Sequence, residues 1–313
     1  MSELSGKKTY DVMIIGGGGA GLTAALYTSR AKLSTVLFEK LVPGGQIAST
    51  DLVENYPGFP EGVLGPEVAQ KMEAQAARYG AEIIYEEVLE LSKREGRFEI
   101  KSSAGTSYAG RAVILAMGAS FRTLGVPLEK QLTGKGVSYC ATCDGAFFKG
   151  KKIIAVGGGD SALQEGLFLT RFAEQVTIVH RRDALRASPI LQERAKKNPK
   201  ISFIWDAVVD KIEGEKSVTH VLLKNVKTGA VQKVPVDGVF IFIGHDPNSG
   251  LARGFVKLNE KGYVVTDANL AASVPGVFAA GEVREGAVRQ LVSACGEGCA
   301  AALAAQAYLE GHH

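Results

Sequence analysis

Short apolar runs of strand length recur along the chain, and several of them stop at clusters of glycine. The first, Tyr10-Asp11-Val12-Met13-Ile14-Ile15, ends in Gly16-Gly17-Gly18-Gly19-Ala20-Gly21. The segment from Leu22 to Ala31 then reads as a helix, and Thr35-Val36-Leu37-Phe38-Glu39 as a second strand. The same order returns later. Lys152-Ile153-Ile154-Ala155-Val156 leads into Gly157-Gly158-Gly159-Asp160-Ser161-Ala162, a helix-like segment follows, and Val176-Thr177-Ile178-Val179 closes the unit. Continuous apolar runs that alternate with helical segments predict parallel strands covered on both faces, hence an α/β fold. The repetition is that of a duplicated unit rather than of a solenoid.

The glycines add chemistry to this pattern. Gly16, Gly18 and Gly21 fill the G-x-G-x-x-G positions between a strand and a helix, where a backbone without side chains can approach a pyrophosphate held at the helix N-terminus. Glu39 ends the following strand, at the place from which an acid hydrogen-bonds a ribose. In the second unit Gly157, Gly159 and Ala162 satisfy the variant of the motif that closes on alanine. There the terminal acid is missing, and His180-Arg181-Arg182, with Arg186 beyond, takes its place. Guanidinium groups bind phosphate in a bidentate fork, so this site is expected to take a 2′-phosphate. The bland alternative, a solvated basic patch, fits the position less well. Two Rossmann-like nucleotide-binding domains are thus expected, one suited to FAD and the other to NADPH.

Before the second glycine loop lies Cys140-Ala141-Thr142-Cys143-Asp144-Gly145. Two residues between cysteines suit a disulfide that opens and closes, and a helix N-terminus at that point would stabilise a thiolate. Asp144 is placed to exchange a proton with a thiol. Half of a structural zinc site is the competing reading of a bare C-x-x-C. Cys295 and Cys299 could in principle complete it, but a C-x₃-C spacing on a small-residue helix does not match a metal knuckle. They read better as small buried hydrophobes, with a modulatory thiol as the alternative.

Composition narrows the class without changing it. The 313 residues are 46% hydrophobic, enough for two sizeable cores, and the net charge of +3 is dispersed. The one basic cluster is accounted for by a coenzyme phosphate, so nucleic acid is not an expected partner. The polar stretch from Met1 to Thr9 lacks the apolar core of a signal peptide, and runs such as Val234 to Gly244 are too short to span a bilayer. Four cysteines in so long a chain do not make a disulfide framework, which fits a reducing cytoplasm. His312 and His313 carry no metal argument.

Taken in combination, these motifs give a chain that resembles the low-molecular-weight, bacterial-type thioredoxin reductases of the class II pyridine nucleotide-disulfide oxidoreductase family. The likeness runs over nearly the whole length. It is carried by Gly16 to Gly21, Pro43-Gly44-Gly45-Gln46, Glu54-Asn55-Tyr56-Pro57-Gly58, Cys140 to Gly145, Gly157 to Ala162, His180 to Ala187, Ile243-Gly244-His245-Asp246-Pro247-Asn248, and Ala280-Gly281 through Gln290. The resemblance implies an NADPH domain inserted into a discontinuous FAD domain: residues 1–118 and 247–313 for FAD, 119–246 for NADPH and the dithiol. It assigns FAD to Gly16, Gly18, Gly21, Glu39, Gly45, Gln46, Asn55, Gly281, Glu282, Arg289 and Gln290, and NADPH to Gly157, Gly159, Ala162, His180, Arg181, Arg182 and Arg186. It implies that electrons pass from NADPH through FAD to the Cys140–Cys143 disulfide and on to the disulfide of thioredoxin. Cys143 would be the flavin-side sulfur, Cys140 the outward nucleophile and Asp144 the acid/base. A cytoplasmic homodimer without a metal is implied as well. The alternative within this fold is a flavin-dependent dithiol oxidase, or a related disulfide reductase with a different partner.

Three positions depart from the family pattern. Glu282 stands where an aspartate meets the FAD ribityl chain, Met117 where a threonine is common, and Gly19 in place of the usual proline of the first loop. Glu282 is the one that bears on cofactor affinity.

Overall fold

The computed structural model describes residues 8–50, 52–53 and 55–311, with Ser49 and Leu52 described by backbone only. Glu54 of the Glu54–Gly58 stretch, the first seven residues, and His312 and His313 lie outside the described residues. The chain divides into two compact units: the residues up to Ser120 together with those from Asp246 onward, and Phe121–His245.

The first unit begins as the apolar pattern predicts. Strand β1 (Lys8–Ile15) is followed by helix α1 (Gly19–Arg30) and strand β2 (Thr35–Phe38), with β1 and β2 parallel and in register from Val12↔Thr35 to Ile15↔Phe38. A short antiparallel pair, β3 (Leu52–Val53) and β4 (Val63–Leu64), precedes helix α2 (Gly65–Arg78) and strand β5 (Glu82–Ile84). Strands β6 (Val88–Arg94), β7 (Arg97–Ser102) and β8 (Ser107–Leu115) form an antiparallel meander. Its last strand returns to the sheet beside β1, giving the order β5-β2-β1-β8-β7-β6.

The run Val12-Met13-Ile14-Ile15 is apolar throughout because both faces of β1 are covered. Val12 and Ile14 pack with Leu22, Ala24 and Ala25 of α1, while Met13 and Ile15 pack with Val36, Phe38, Phe98 and Val113 on the other face. Full burial of each such side chain contributes on the order of 1.5–3 kcal/mol.

The chain leaves the first unit through strand β9 (Ala119–Phe121). In the second unit, β10 (Val137–Ser138) leads to the short helix α3 (Ala141–Asp144), then to β11 (Lys152–Val156), α4 (Asp160–Leu169), β12 (Gln175–Val179), α5 (Pro189–Lys197) and β13 (Ile201–Ile204). An antiparallel sheet of β14 (Ala207–Glu213), β15 (His220–Asn225) and β16 (Val231–Pro235) follows, and β17 (Gly238–Ile241) completes a parallel sheet ordered β10-β17-β11-β12-β13. Alternation along β11 again explains an unbroken apolar run. Ile154 and Val156 face Val209 and Leu223 of the antiparallel sheet, and Ile153 and Ala155 face Leu163 and Leu169 of α4.

Strand β18 (His245–Pro247) pairs with β9. The first unit is then finished by β19 (Val277–Ala279), parallel to β8, and by α6 (Leu291–Glu310). The run of small residues in α6 has a packing reason. A Cβ on Gly298 would stand 2.1 Å from the carbonyl oxygen of Ala20, so α6 crosses α1 at backbone contact.

Candidate functional site

Each unit carries a glycine loop that is shut on the sheet side and open on the other. Gly16 has φ +104 and donates its N–H to the Phe38 carbonyl at 2.8 Å. A Cβ on Gly21 would lie 1.8 Å from the Gly16 carbonyl oxygen, so only glycine lets α1 start this close to β1. Gly18, the N-cap of α1, has no atom within 4 Å of where a Cβ would stand, and no side chain caps the helix. The first-turn N–H groups of α1 are therefore left to an external acceptor, the arrangement that receives an anionic phosphate. Helix α1 begins at Gly19, three residues before the apolar pattern places it, because these glycines are its first turn.

Glu39 turns toward the loop. One carboxylate oxygen accepts from the Gly17 N–H at 2.8 Å and the other from the Leu41 N–H at 3.0 Å. Each oxygen retains a lone pair for a ribose hydroxyl. Gly44 donates its N–H to the Gly17 carbonyl at 2.7 Å, and the Cβ position of Gly45 lies 3.4 Å from the Gly18 Cα. The Pro43–Gln46 segment is thereby laid against the loop. Gln46 donates to the Ala119 carbonyl at 2.6 Å and reaches Glu282 at 3.4 Å. Asn55 donates to the side chain of Gln290 at 2.9 Å. Burial pushes the Glu282 carboxyl up, opposed by the charge of Arg289 and the hydrogen bond from Gln46. All eleven residues expected at the first nucleotide site belong to this unit, and these contacts draw most of them together.

One residue of this site is missing from the sequence reading. Glu297 accepts from the Gly281 N–H at 2.7 Å and holds Arg284 in a bidentate fork at 2.8 and 2.7 Å. It fixes the turn that carries Gly281 and Glu282. Its only sequence signal is that it is the lone charge in the run Ser293 to Ala305. The Arg284 and Glu297 side chains are only 18% and 16% exposed, so removing one strands the other. We expect Glu297→Ala to cost about 3 kcal/mol in urea unfolding, with Glu297→Gln losing less.

The second loop repeats the first. Gly157 donates its N–H to the Val179 carbonyl at 3.0 Å, and Ala162 is fully buried with its Cβ 2.7 Å from where one on Gly157 would stand. Gly159 caps α4 with open space before it and no side-chain cap. A Cβ on Gly158 would stand 2.3 Å from the His180 ring, so the imidazole lies directly over the loop. His180 is 5% exposed, and its Nε2 is buried without a hydrogen-bond partner. Burial holds it below the usual imidazole range, a backbone hydrogen bond at Ala184 opposes that, and the charges of Arg186, Arg181 and Arg182 lower it further. Each of these charges, like burial, favours the neutral ring. The three arginine side chains are exposed, and the Arg186 N–H donates to the Gly158 carbonyl at 2.7 Å, which folds the basic segment over the loop.

Cys140 and Cys143 are joined in a disulfide with Cα atoms 5.3 Å apart. Cys140 is the N-cap of α3, and the Asp144 N–H donates to its carbonyl at 3.2 Å. Gly145 is buried where a Cβ would meet Leu169 and Phe172, so the disulfide turn is seated at the C-terminal end of α4. Cys295 and Cys299 are free thiols. Cys295 is buried with Val53, Val63, Val68 and Leu291, as a small hydrophobe would be, whereas Cys299 is half-buried. Among the described residues no cluster of His, Cys, Asp or Glu is placed to hold a metal, and no helix is long and apolar enough to cross a membrane.

The model of the pyridine nucleotide-disulphide oxidoreductase family matches residues 10–298. The thioredoxin reductase of Bacillus subtilis (strain 168) is 50% identical over 308 residues, covering 98% of this chain and 97% of that protein. The thioredoxin reductase of Streptomyces coelicolor is 48% identical over 96% of this chain and 94% of its own length. Among solved structures, that of thioredoxin reductase from Streptococcus pyogenes MGAS5005 superimposes with a TM-score of 0.91 at 44% identity, over 97% of this chain and 99% of that one. With its two glycine loops and a disulfide-closed C-x-x-C, the chain belongs to the pyridine nucleotide-disulphide oxidoreductases and, within them, to the thioredoxin reductases.

Proposed function

We propose that this chain uses NADPH and FAD to reduce its Cys140–Cys143 disulfide, and that the resulting dithiol reduces thioredoxin. The observation that carries this reading is the coexistence of a closed disulfide with two open glycine loops whose strand ends differ, Glu39 in one and His180-Arg181-Arg182 in the other. Gly16, Gly18, Gly21, Glu39, Gly45, Gln46, Asn55, Gly281, Glu282, Arg289 and Gln290 would hold FAD. Gly157, Gly159, Ala162, His180, Arg181, Arg182 and Arg186 would hold NADPH. A bound flavin would supply the two-electron chemistry that links a nicotinamide to a disulfide. Supported by the family likeness, we place the enzyme in the cytoplasm as a homodimer, with residues 119–246 as the coenzyme and dithiol domain.

The chain's own chemistry is thiol–disulfide exchange. The Cys140 thiolate attacks one sulfur of the partner's disulfide, forming an S–S bond and breaking the partner's own. The partner's other sulfur leaves as a thiolate and takes a proton, with Asp144 as the nearby acid. Cys143 then gives its proton back to Asp144, and its thiolate attacks Cys140 Sγ; this restores the disulfide and releases the partner's remaining sulfur as a thiolate that takes a proton from water.

An absorbance spectrum with metal analysis tests the cofactor assignment. Bound flavin without stoichiometric zinc is expected; zinc without flavin would overturn it. Oxygen consumption with NADPH, needing no thioredoxin, would point to a dithiol oxidase instead. Glu282→Asp is expected to retain FAD at least as tightly, measured by flavin fluorescence on dilution. A large loss of FAD would mean that the Gln46–Glu282 contact has been rebuilt around the longer side chain.

A further inference from the structure

Cys140 and Cys143 are both half-buried residues, so burial class does not tell them apart. Their hydrogen bonds do. The Cys143 N–H donates to Cys140 Sγ at 3.2 Å, and Thr142 Oγ1 lies 3.4 Å from the same sulfur. A sulfur in a disulfide carries no proton, so in this state the hydroxyl is the donor. Both donors converge on Cys140.

The backbone beneath is clamped so that they must. Ser138 Oγ accepts from the Cys140 N–H at 3.1 Å and donates to the Cys140 carbonyl at 3.2 Å, and Ser138 itself is buried. Cys140 then starts the turn in extended conformation, φ −136 and ψ 108, which aims its sulfur back at the N–H groups of α3.

A disulfide sulfur is a weak acceptor and a thiolate a strong one, so these two bonds strengthen when the disulfide opens. We infer that the Thr142 hydroxyl is a catalytic residue of this enzyme that donates to the Cys140 sulfur and selects it as the thiolate of the reduced pair. Two electrons break the S–S bond, Cys143 takes up one proton, and Cys140 remains ionised, ready to attack. The inference rests on the function proposed above. It adds a residue, since the backbone N–H of Cys143 is present whatever occupies position 142, whereas the hydroxyl is not.

The test reads the thiol directly. In the FAD-loaded full chain with Cys143→Ser, alkylation of Cys140 by iodoacetamide is followed against pH, using mass spectrometry of the peptide that contains it. The serine at 143 is common to every sample, so its own hydroxyl cancels. Thr142→Val is expected to raise the midpoint by about one pH unit, the size of one weakened charge-assisted hydrogen bond. Thr142→Ser should restore it, and Thr142→Ala should repeat the rise without the β-branch. An unchanged midpoint in both Val and Ala, or a serine that behaves like valine, would overturn the inference. Alkylation requires no partner protein, so failure here leaves the thioredoxin assay of the unaltered chain intact, and a failed thioredoxin assay would leave this titration readable.

Discussion

Replacing Cys143 with serine is expected to abolish turnover and to leave a protein that captures thioredoxin covalently. Cys140 remains able to attack, but the mixed disulfide has lost Cys143, the adjacent thiol that would resolve it. With a thioredoxin that lacks its own resolving cysteine, the complex should accumulate and be visible on a non-reducing gel. Cys140→Ser should be equally inactive and form no such complex. The physical reason is that exchange needs in-line access to the partner's sulfur together with a populated thiolate. The donors on Cys140 Sγ favour the thiolate there. Trapping through Cys143 instead would reverse the division of labour. Full-rate disulfide reduction by either single mutant would remove the dithiol from the mechanism.

Coenzyme choice should show an effect of similar size. Arg181, Arg182 and Arg186 are exposed around a buried His180 on a loop tied to Gly158, and no carboxylate ends the β12 strand. We expect NADPH to be preferred over NADH in kcat/KM. Arg181→Ala with Arg182→Ala should lower kcat/KM for NADPH by roughly 10²–10⁴-fold, two charge-assisted contacts of about 1.5–3 kcal/mol each, and barely change that for NADH. Equal use of both coenzymes by the unaltered chain would contradict the assignment.

The parts of the site that could be read in the sequence are those in which a local pattern and a backbone need coincide. Lys152–Val156 is a strand with the bounds its apolar run gives, because a strand covered on both faces has no polar position to blur its ends. The C-x-x-C turn is similarly local, with Cys140 as N-cap of α3. Helix starts were less legible. Gly19 to Gly21 belong to α1, yet glycine has low helix propensity, and only the close approach to Gly16 explains its use there. The antiparallel β14–β16 sheet leaves a weak pattern in the sequence, since the alternation along β14 is interrupted by a bulge between Val209 and Lys211. The Arg284–Glu297 fork joins two elements whose meeting depends on how α6 crosses α1, which no local pattern encodes.

The central claim is that electrons from NADPH reach thioredoxin through this chain's dithiol. The most direct test follows NADPH oxidation by the flavin-loaded enzyme under anaerobic conditions, with and without thioredoxin. The account predicts slow oxidation alone and rapid oxidation when thioredoxin is added, with new thioredoxin thiols appearing in step with the NADPH consumed. NADPH oxidation that ignores thioredoxin, or thioredoxin that stays oxidised while NADPH is spent, would contradict it.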